Sequence, residues 1–512
     1  MNTITQNNKR IAKNTLYLYI RMLLVMGVTL FTSRIVLKAL GEEDYGIYNV
    51  IGGVVTMLTF FNSTMTSTCQ RYFSYHIGKN DLEELDRMFK LNMSVFLLFG
   101  LVVFILAETI GLWFINTQMT IPVERMVAMN WVYQCSILSF FCAIIQVPYN
   151  ALIISHERMS AFAYISVVEV LLKLFMAISL LHIDVDKLIL YAILMLLCHA
   201  LIAMYYCYYC IRRFKESKFG LYWNKKRFVD VFSYSSWHLL GALSVTVRNQ
   251  GVNILLNIFF NPIVNAGRAI AYQVTYAIDS LANNFFVASK PQIYKYYAQG
   301  NLKEMHLLII RSTKVCFYLI AVIAIPVIVN TREILGLWLE DVPTYAVLFT
   351  QLSLVNAMID STNGPAIASA LATARIRNFE IITGGLMILN LPISYLVLRF
   401  GGNPELTIMV SILISLVTIV VRAVLLNHLI KLPMKRYLVN TCLPFIFVAL
   451  LSWILSQILV QSMEHTLPIV FITSFVSAVI TSILFCILSL DRGERQAIVH
   501  IIYNRFHIKK NE

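Results

Sequence analysis

Apolar residues dominate this chain in long runs that short polar stretches separate. A membrane-spanning helix needs about 20 apolar residues, and fourteen runs reach that length. The pattern predicts an all-α polytopic membrane protein, with no stretch outside the runs long enough for a soluble domain. We number the predicted spans TM1 to TM14: 15–38, 46–68, 90–113, 126–148, 160–181, 187–210, 230–257, 266–288, 306–329, 345–371, 379–399, 405–429, 439–460 and 468–490.

Composition agrees with this pattern. The 512 residues are 58% apolar and only 13% charged, whereas a soluble domain carries roughly 25% charge, so a water-soluble enzyme is excluded. The first apolar run is too long for a cleaved signal peptide. All nine cysteines lie in or at the ends of spans, which favours buried thiols over a metal site. No phosphate-binding GxxxxGK[ST] run occurs, and we expect no cofactor.

The net charge of +14 is a topology signal rather than a sign of nucleic-acid binding. The N-terminal tail, alternate loops and C-terminus hold 29 lysines and arginines in or beside them, and the opposite loops hold six. Basic residues concentrate on the cytoplasmic side of membrane proteins. We therefore expect both termini in the cytoplasm.

The chain contains an internal duplication. Asp44-Tyr45-Gly46 after TM1 corresponds to Asn265-Ala266-Gly267 after TM7, and Pro148 and Arg158 correspond to Pro365 and Arg375 at an offset of 217. A six-span repeat gives both copies the same orientation, as in alternating-access transporters with the substrate site between the halves. The predicted parts are an N-terminal lobe 1–211, a basic cytoplasmic linker 212–228, a second lobe 229–431, a TM13–TM14 hairpin 432–490 and a cytoplasmic tail 491–512, in which Ile498, Ile501, Ile502 and Phe506 mark an amphipathic helix.

Three segments carry a family resemblance: LGEEDYGIYNVIGG after TM1, NPIVNAGRAIAYQV at the start of TM8, and KPQIYKYYAQGN after it. They resemble Wzx-type polysaccharide flippases of the multidrug/oligosaccharidyl-lipid/polysaccharide exporter superfamily. The resemblance implies two MATE-like lobes, a bacterial inner-membrane location, and transport of undecaprenyl-pyrophosphate-linked oligosaccharide for capsule, O-antigen or similar polymers. The implied partners are this lipid-linked oligosaccharide, membrane lipids and polysaccharide polymerases.

Charged residues inside spans indicate where the substrate binds. Each costs about 2.5–3.5 kcal/mol at the centre of a helix that faces lipid, so they must line protein or water. Glu169 and Lys173 can neutralise each other along one helix, and Lys314 can snorkel to the cytoplasmic face. The remaining basic residues are the predicted substrate-binding set: Arg21, Arg248 and Arg422, which lack a local acidic partner, with Arg34 and Arg268, which could also be interfacial anchors.

Guanidinium groups bind phosphate oxygens in bidentate fashion, so the arginines suit a lipid pyrophosphate. Asp279 and Asp360 are expected either to couple transport to H⁺ or Na⁺ or to pair with these arginines. Asn249, Asn253 and Asn283 are predicted to line the same cavity. The run Asp360-Ser361-Thr362-Asn363-Gly364-Pro365 predicts a kink in TM10, with freed carbonyls.

Three alternatives stay open at this stage. A multidrug antiporter of the same superfamily would favour a buried carboxylate early in each half, but TM1 carries Arg21 instead. Lipid II is another cargo with the same head group. A membrane glycosyltransferase or polymerase could use Glu42-Glu43-Asp44 as an acidic site, although the longest outer segments have only about a dozen residues.

Overall fold

Helices occupy almost all of this computed structural model, which describes residues 2–56, 59–118, 123–183, 185–260, 262–339, 342–343, 345–461, 463 and 466–496. No β-strand occurs among these residues. The α-helices are α1 (Asn2–Thr56), α2 (Thr59–Gly78), α3 (Leu82–Leu106), α4 (Leu112–Gln118), α5 (Met126–Ser155), α6 (Met159–Ser179), α7 (Lys187–Arg213), α8 (Lys225–Phe259), α9 (Pro262–Ala298), α10 (Leu302–Val329), α11 (Thr331–Trp338), α12 (Ala346–Asp360), α13 (Asn363–Ala372), α14 (Arg377–Ile388), α15 (Asn390–Arg399), α16 (Leu406–Ile430), α17 (Met434–Tyr437), α18 (Leu443–Gln461) and α19 (Leu467–Leu488).

The helices make this chain a multi-pass membrane protein. In the described part of the chain, ten helical segments are long and apolar enough to cross a bilayer. Four predicted spans (TM2, TM7, TM8 and TM10) are not among the ten. TM2 covers the end of α1 and the first half of α2, TM7 falls on α8, TM8 falls on α9, and TM10 falls on the pair α12–α13. The break in TM10 leaves helices of 15 and 10 residues, each too short to cross a bilayer. Polar residues lower the mean hydropathy of the other three. The arrangement of fourteen spans therefore stays a prediction.

Local sequence explains the breaks in the helices. Gly41 adopts φ +79°, a conformation that favours glycine, and it divides α1 into two helical stretches. The predicted kink in TM10 is confirmed, because α12 ends at Asp360 and α13 begins at Asn363. The amphipathic helix predicted around Ile498–Phe506 lies outside the described residues.

The chain forms two compact units. Unit 1 comprises Met1–Ala242 and Val287–Asn301, and unit 2 comprises Leu243–Phe286 and Leu302–Glu512. The chain thus passes from one unit to the other within α8 and again within α9. The lobe and linker boundaries drawn from the sequence stay a prediction.

In unit 1, α5 packs against α7, α2 and α3, and α1 packs along α6. The Phe89 ring meets the Tyr149 ring edge-on at 5.2 Å between centroids. Tyr133 is buried, and its hydroxyl donates to the Ala107 carbonyl at 2.8 Å in a π-turn that follows α3. Burying the Tyr133 hydroxyl with an acceptor avoids the cost of an unsatisfied polar group.

In unit 2, α10 packs against α12, α18 and α19, and α16 packs against α12 and α15. The Phe317 and Phe445 rings stack at 4.1 Å between centroids. Lys314, which the sequence predicts to reach the cytoplasmic face, is buried and paired with acidic residues. Its side chain is 3% exposed and pairs with Glu494 at 2.8 Å and Asp491 at 3.5 Å, because the chain after α19 brings these carboxylates to α10.

The internal duplication has a counterpart in the backbone. Glu157 follows α5 with φ +59°, and Ala374 follows α13 with φ +60°. Both residues are in the left-handed region, which non-glycine residues seldom adopt. They lie 217 positions apart, the offset that relates Pro148 to Pro365. The two turns therefore support a common origin for the two halves of the chain.

Candidate functional site

A polar cavity of about 130 Å³ lies within unit 2. We call it the unit 2 cavity, and its charged lining residues come from three helices. Arg248 comes from α8, Arg268 and Asp279 come from α9, and Asp360 comes from the end of α12. Asn249 lines it as well. Three of the predicted coupling or cavity residues thus lie beside two of the predicted substrate-binding arginines.

Arg248 pairs with an acid that is distant in the sequence. Its Nη2 donates to Asp360 Oδ2 at 3.0 Å, and its Nη1 donates to Ser415 Oγ at 3.4 Å. Arg248 is 9% exposed. A buried charge is costly unless it is paired and hydrogen-bonded, and Asp360 meets that need. Asp360 thus takes one of the two roles that the sequence left open, pairing with an arginine.

Asparagines on both sides of the break after α12 donate hydrogen bonds to the Asp360 carboxylate. Asn356 Nδ2 donates to its Oδ2 at 3.0 Å, and Asn363 Nδ2 donates to its Oδ1 at 2.7 Å. The side-chain amide oxygen of Asn363 (Oδ1) in turn accepts a hydrogen bond from Arg422 of α16. Arg422 is 3% exposed, so it joins the cluster through an amide rather than through a direct carboxylate contact.

Arg268 differs from Arg248 and Arg422 because no described carboxylate forms an ion pair with it. Its Nη2 donates to the Asn249 carbonyl oxygen at 3.4 Å, and its Nη1 is buried and has no hydrogen-bond partner among the described residues. The neighbouring charge of Arg248 is of the same sign. The unit 2 cavity therefore presents a guanidinium whose positive charge no described acid neutralises.

Asp279 forms no hydrogen bond or ion pair with a described residue, and it lies close enough to Asp360 for the two carboxylates to repel. It also lines a second cavity of about 170 Å³, which Asn283 and Asp360 share. Asn283 is exposed there. Neighbouring carboxylates favour uptake of a proton or a cation.

Arg21 lies in unit 1. Its guanidinium stacks on the Phe162 ring at 4.6 Å, and its buried Nε has no hydrogen-bond partner in the part of the chain that the structure describes. The pairing predicted between Glu169 and Lys173 is confirmed at 2.6 Å. Arg21 is within electrostatic reach of Glu169, but that carboxylate bonds to Lys173.

The structure gives little information about two of the predicted site residues, Arg34 and Asn253. The side chain of Arg34 lies outside the described residues. Asn253 is half-buried on α8, one turn beyond Asn249. No group of three His, Cys, Asp or Glu side chains suited to a metal occurs among the residues that the structure describes.

The sequence did not predict the hydrogen bonds of Asn356, Asn363 and Ser415 to the Arg248–Asp360 pair. Ser415 Oγ donates to Asn356 Oδ1 at 3.0 Å, which closes a ring of contacts around Arg248 and Asp360. Asn356 and Asp360 are four positions apart in the sequence, and this spacing on a helix was the available signal. Ser415, in an apolar stretch of α16, gave none.

A second charged cluster, also missed, lies in unit 1. The Glu157 side chain is fully buried, and it pairs with Arg10 Nε at 2.7 Å and Lys295 Nζ at 2.5 Å. Gln292 Nε2 donates to both of its carboxylate oxygens, at 2.8 and 2.9 Å. Asn14 donates to the Glu157 carbonyl at 3.2 Å. This carboxylate joins the start of α1, the turn after α5 and the end of α9.

The segment after α7 is fixed by a histidine–carboxylate contact. His156 Nε2 lies 2.7 Å from Glu216 Oε1, and the His156 ring stacks on Phe214. Burial alone would raise the pKa of Glu216, but the hydrogen bonds to His156 and to the backbone lower that pKa below its ordinary value. The basic segment predicted as a linker thus begins with a fixed contact to the α5–α6 turn.

Comparison with known proteins gives a family and a fold. A family profile described as "Polysaccharide biosynthesis protein" matches residues 11–296, more than half of the chain. A search of curated proteins finds no match.

Solved structures of MATE transporters have the same fold. A MATE in the straight conformation aligns with a TM-score of 0.72 at 12% identity, over 83% of this chain and 97% of that chain. An outward-facing multidrug resistance MATE transporter of the MOP superfamily gives 0.68 at 12% identity, over 84% and 97%. A MOP superfamily transporter from Pyrococcus furiosus, whose title reports a binding pocket of reverse polarity, gives 0.69 at 12% identity, over 82% and 96%.

Proposed function

Because the chain belongs to the polysaccharide biosynthesis protein family, we propose that it is a flippase for oligosaccharide linked to undecaprenyl pyrophosphate. It moves this lipid from the cytoplasmic to the periplasmic leaflet of the bacterial inner membrane, by alternating access, with both termini in the cytoplasm. The MATE-like fold supports a transporter, and the distribution of basic residues supports the orientation. Polysaccharide polymerases are the expected downstream partners.

The main support for the proposal is the buried guanidinium of Arg268 in the unit 2 cavity. A cavity that holds a buried guanidinium with no described acidic partner, next to a second guanidinium, is costly in the absence of an anion. A pyrophosphate supplies about two negative charges and oxygens that only accept hydrogen bonds, and arginine binds such oxygens in bidentate fashion. Arg268 therefore makes the first contact with the head group, and Arg248 makes the second.

Asp360 connects binding of the substrate to uptake of the coupling cation. A phosphate that takes Arg248 displaces Asp360 from its ion pair, and the released carboxylate then faces Asp279. Two adjacent carboxylates without a cation favour proton or Na⁺ uptake. Binding of the diphosphate and uptake of a cation thus occur together at one cluster.

The membrane potential can supply direction. Moving two negative charges outward across an inside-negative membrane releases about 4.6 kcal/mol per 100 mV. Arg21 in unit 1 and Arg422 in unit 2 serve as further contacts for the head group along its path, and Arg34 is proposed for the outer end. The polyprenyl tail stays in lipid.

The test is transport by protein reconstituted in liposomes, with a fluorescent lipid-diphosphate oligosaccharide and a quencher that cannot cross the bilayer. Arg268→Gln should lower the initial rate at least tenfold, and Arg268→Lys should keep part of it because a charge remains. Arg399→Gln, at an exposed arginine at the end of α15, is the matched control. Undiminished transport by Arg268→Gln protein of normal stability would refute the proposal.

A cation exporter is the second candidate, and the Asp279 carboxylate without a described partner favours it. The same liposomes would then transport an organic cation, and Asp279→Asn would abolish that transport while Arg268→Gln would not. Lipid II in place of the oligosaccharide lipid tests the alternative cargo. Sugar transfer by the purified protein would instead indicate a glycosyltransferase.

A further inference from the structure

Two helices of unit 1 present hydrogen-bond donors to each other. Ser67, Arg71 and Ser74 lie three or four residues apart on α2, and Lys290 and Tyr294 lie four apart on α9, so each set shares one helix face. Lys290 Nζ donates to Ser67 Oγ at 2.9 Å and lies 5.9 Å from the centre of the Tyr294 ring. We call these five residues the α2–α9 seam.

Close backbone packing continues the seam. Gly78 lies one turn beyond Ser74 on the same face of α2, and a Cβ at this position would be 2.8 Å from Lys295 Cα. The two helices are therefore in close backbone contact just beyond the donors. Their mutual orientation is fixed by contacts on both sides of Arg71.

The positive charge of Lys290 has no acidic partner in the described part of the chain, where its acceptor is the Ser67 hydroxyl. The contrast with Lys295 is direct, because Lys295 bonds to the Glu157 carboxylate at 2.5 Å. Glu157 also receives Arg10 and Gln292, so its oxygens are already occupied. Glu157 therefore pairs with Lys295 near the end of α9 and forms no ion pair with Lys290.

Two buried hydroxyls of the seam have no acceptor at hydrogen-bonding geometry among the described residues. These are Ser74 Oγ and Tyr294 Oη, and both are inaccessible to solvent. Arg71 is 6% exposed, and its guanidinium lies 4.5 Å from the ring centre of Tyr72 and 5.7 Å from that of Tyr234. The charge of Arg71 also acts on Tyr294. The seam is thus rich in donors and poor in acceptors.

We propose that the α2–α9 seam is a second anion site, which binds a phosphoryl group of a diphosphate through Lys290, Arg71 and the hydroxyls of Ser74 and Tyr294. Phosphate oxygens only accept hydrogen bonds, and both ammonium and guanidinium groups bind them strongly. The phosphate replaces Ser67 as the acceptor for Lys290. The seam lies toward the side that the basic loops assign to the cytoplasm, where a lipid diphosphate arrives.

This proposal does not depend on the flippase assignment, because it concerns binding and uses residues outside the unit 2 cavity. The experiment measures binding of inorganic pyrophosphate to full-length protein in nanodiscs, in an Arg268→Gln background that weakens the unit 2 cavity. Lys290→Met should weaken binding at least tenfold, and Lys290→Arg should retain most of it. Lys303→Gln, at an exposed lysine in the first turn of α10, is the matched control.

Stability without ligand separates a binding role from a structural one. Removing a partly buried cation that has no described acid should leave the melting temperature of Lys290→Met protein unchanged or raised, whereas a structural lysine would lower it. Ser74→Ala removes one donor and keeps every charge, and it should weaken binding about threefold. If Lys290→Met protein binds pyrophosphate as tightly as its parent, the proposal is overturned.

A second arm distinguishes the source of the phosphate. Polyprenyl diphosphate is added to the nanodiscs as a competitor, with polyprenol as its control. Competition that depends on Lys290 assigns the seam to a lipid head group, and pyrophosphate binding without competition assigns it to a free diphosphate. If neither ligand depends on Lys290, no anion site exists at the seam.

Discussion

Arg248 and Asp360 form an ion pair at 3.0 Å although 112 residues separate them in the chain. The pair joins α8 to the break between α12 and α13, and the side chains are 11% and 22% exposed. Asn356 and Asn363 bond to the same carboxylate. The helix break therefore places Asn363 where its amide donates to the carboxylate that pairs with Arg248.

Asp360→Asn should destabilise the protein by about 2–4 kcal/mol, because removing one partner of a buried pair leaves the other charge uncompensated. Thermal unfolding in detergent measures the change. Asp86→Asn is the matched control, since its pair with Lys90 is on a solvent-accessible helix face and such pairs contribute less than about 1 kcal/mol. In an Arg248→Gln background the effect of Asp360→Asn should shrink; full additivity would mean that the pair is not coupled.

Helical periodicity and charge placement were sufficient to predict much of the fold. The kink at Asp360–Pro365 was readable because Ser, Thr, Asn, Gly and Pro interrupt an apolar run. The partner of Arg248 could not be predicted from the sequence, because residues within four positions can pair with it only along the same helix. Long-range pairs of this kind depend on tertiary packing, which a single sequence does not specify.

Lys290 shows a second reason why the sequence did not identify a proposed binding residue. In the sequence, basic residues outside the spans were counted as indicators of orientation, and Lys290 and Arg71 belong to that set. The structure places both on helices that extend beyond the apolar run, with α9 continuing to Ala298 and α2 to Gly78. A lysine or arginine that sets membrane orientation is the same residue type as one that binds an anion. Only the packing of α2 against α9 distinguishes the two roles.

Glu157→Gln should destabilise unit 1 by about 3–5 kcal/mol, because Arg10 and Lys295 both lose their countercharge. Hydrogen exchange in residues 287–298 should rise, since Gln292 and Lys295 fix that end of α9 to the turn after α5. Glu83→Gln is the control, because the Glu83 side chain is 77% exposed in its pair with Arg87. Unchanged exchange at 287–298 would contradict a fastening role for Glu157.

The stability of the protein should fall as the pH drops from about 6.5 to about 4, in part because of His76. Burial lowers the pKa of His76 to about 4, Asp81 opposes this shift, and Arg71, Lys79 and Arg227 add to it. The unfolded chain, with an ordinary pKa near 6.5, binds more protons across this range, so the folded state loses stability as the pH falls.

Melting temperatures of wild-type and His76→Gln protein across this pH range measure that contribution. The variant should show the shallower fall, because it lacks the proton that the unfolded wild type gains. His182→Gln, at an exposed histidine after α6, is the control and should keep the wild-type slope. Parallel curves for His76→Gln and the wild type would show that His76 protonates equally in both states.

Gly78→Ala tests the packing of α2 on α9 with a single methyl group. The added Cβ would lie 2.8 Å from Lys295 Cα and 3.0 Å from the Lys295 carbonyl oxygen, and backbone atoms cannot move away as a flexible side chain can. Overpacking of this kind costs about 1–3 kcal/mol, so the melting temperature should fall. Gly27→Ala is the matched control, because nothing lies within 4 Å of its added Cβ and alanine favours a helix by up to about 1 kcal/mol over glycine. A fall for both variants would mean that backbone flexibility, rather than contact with α9, requires glycine at position 78.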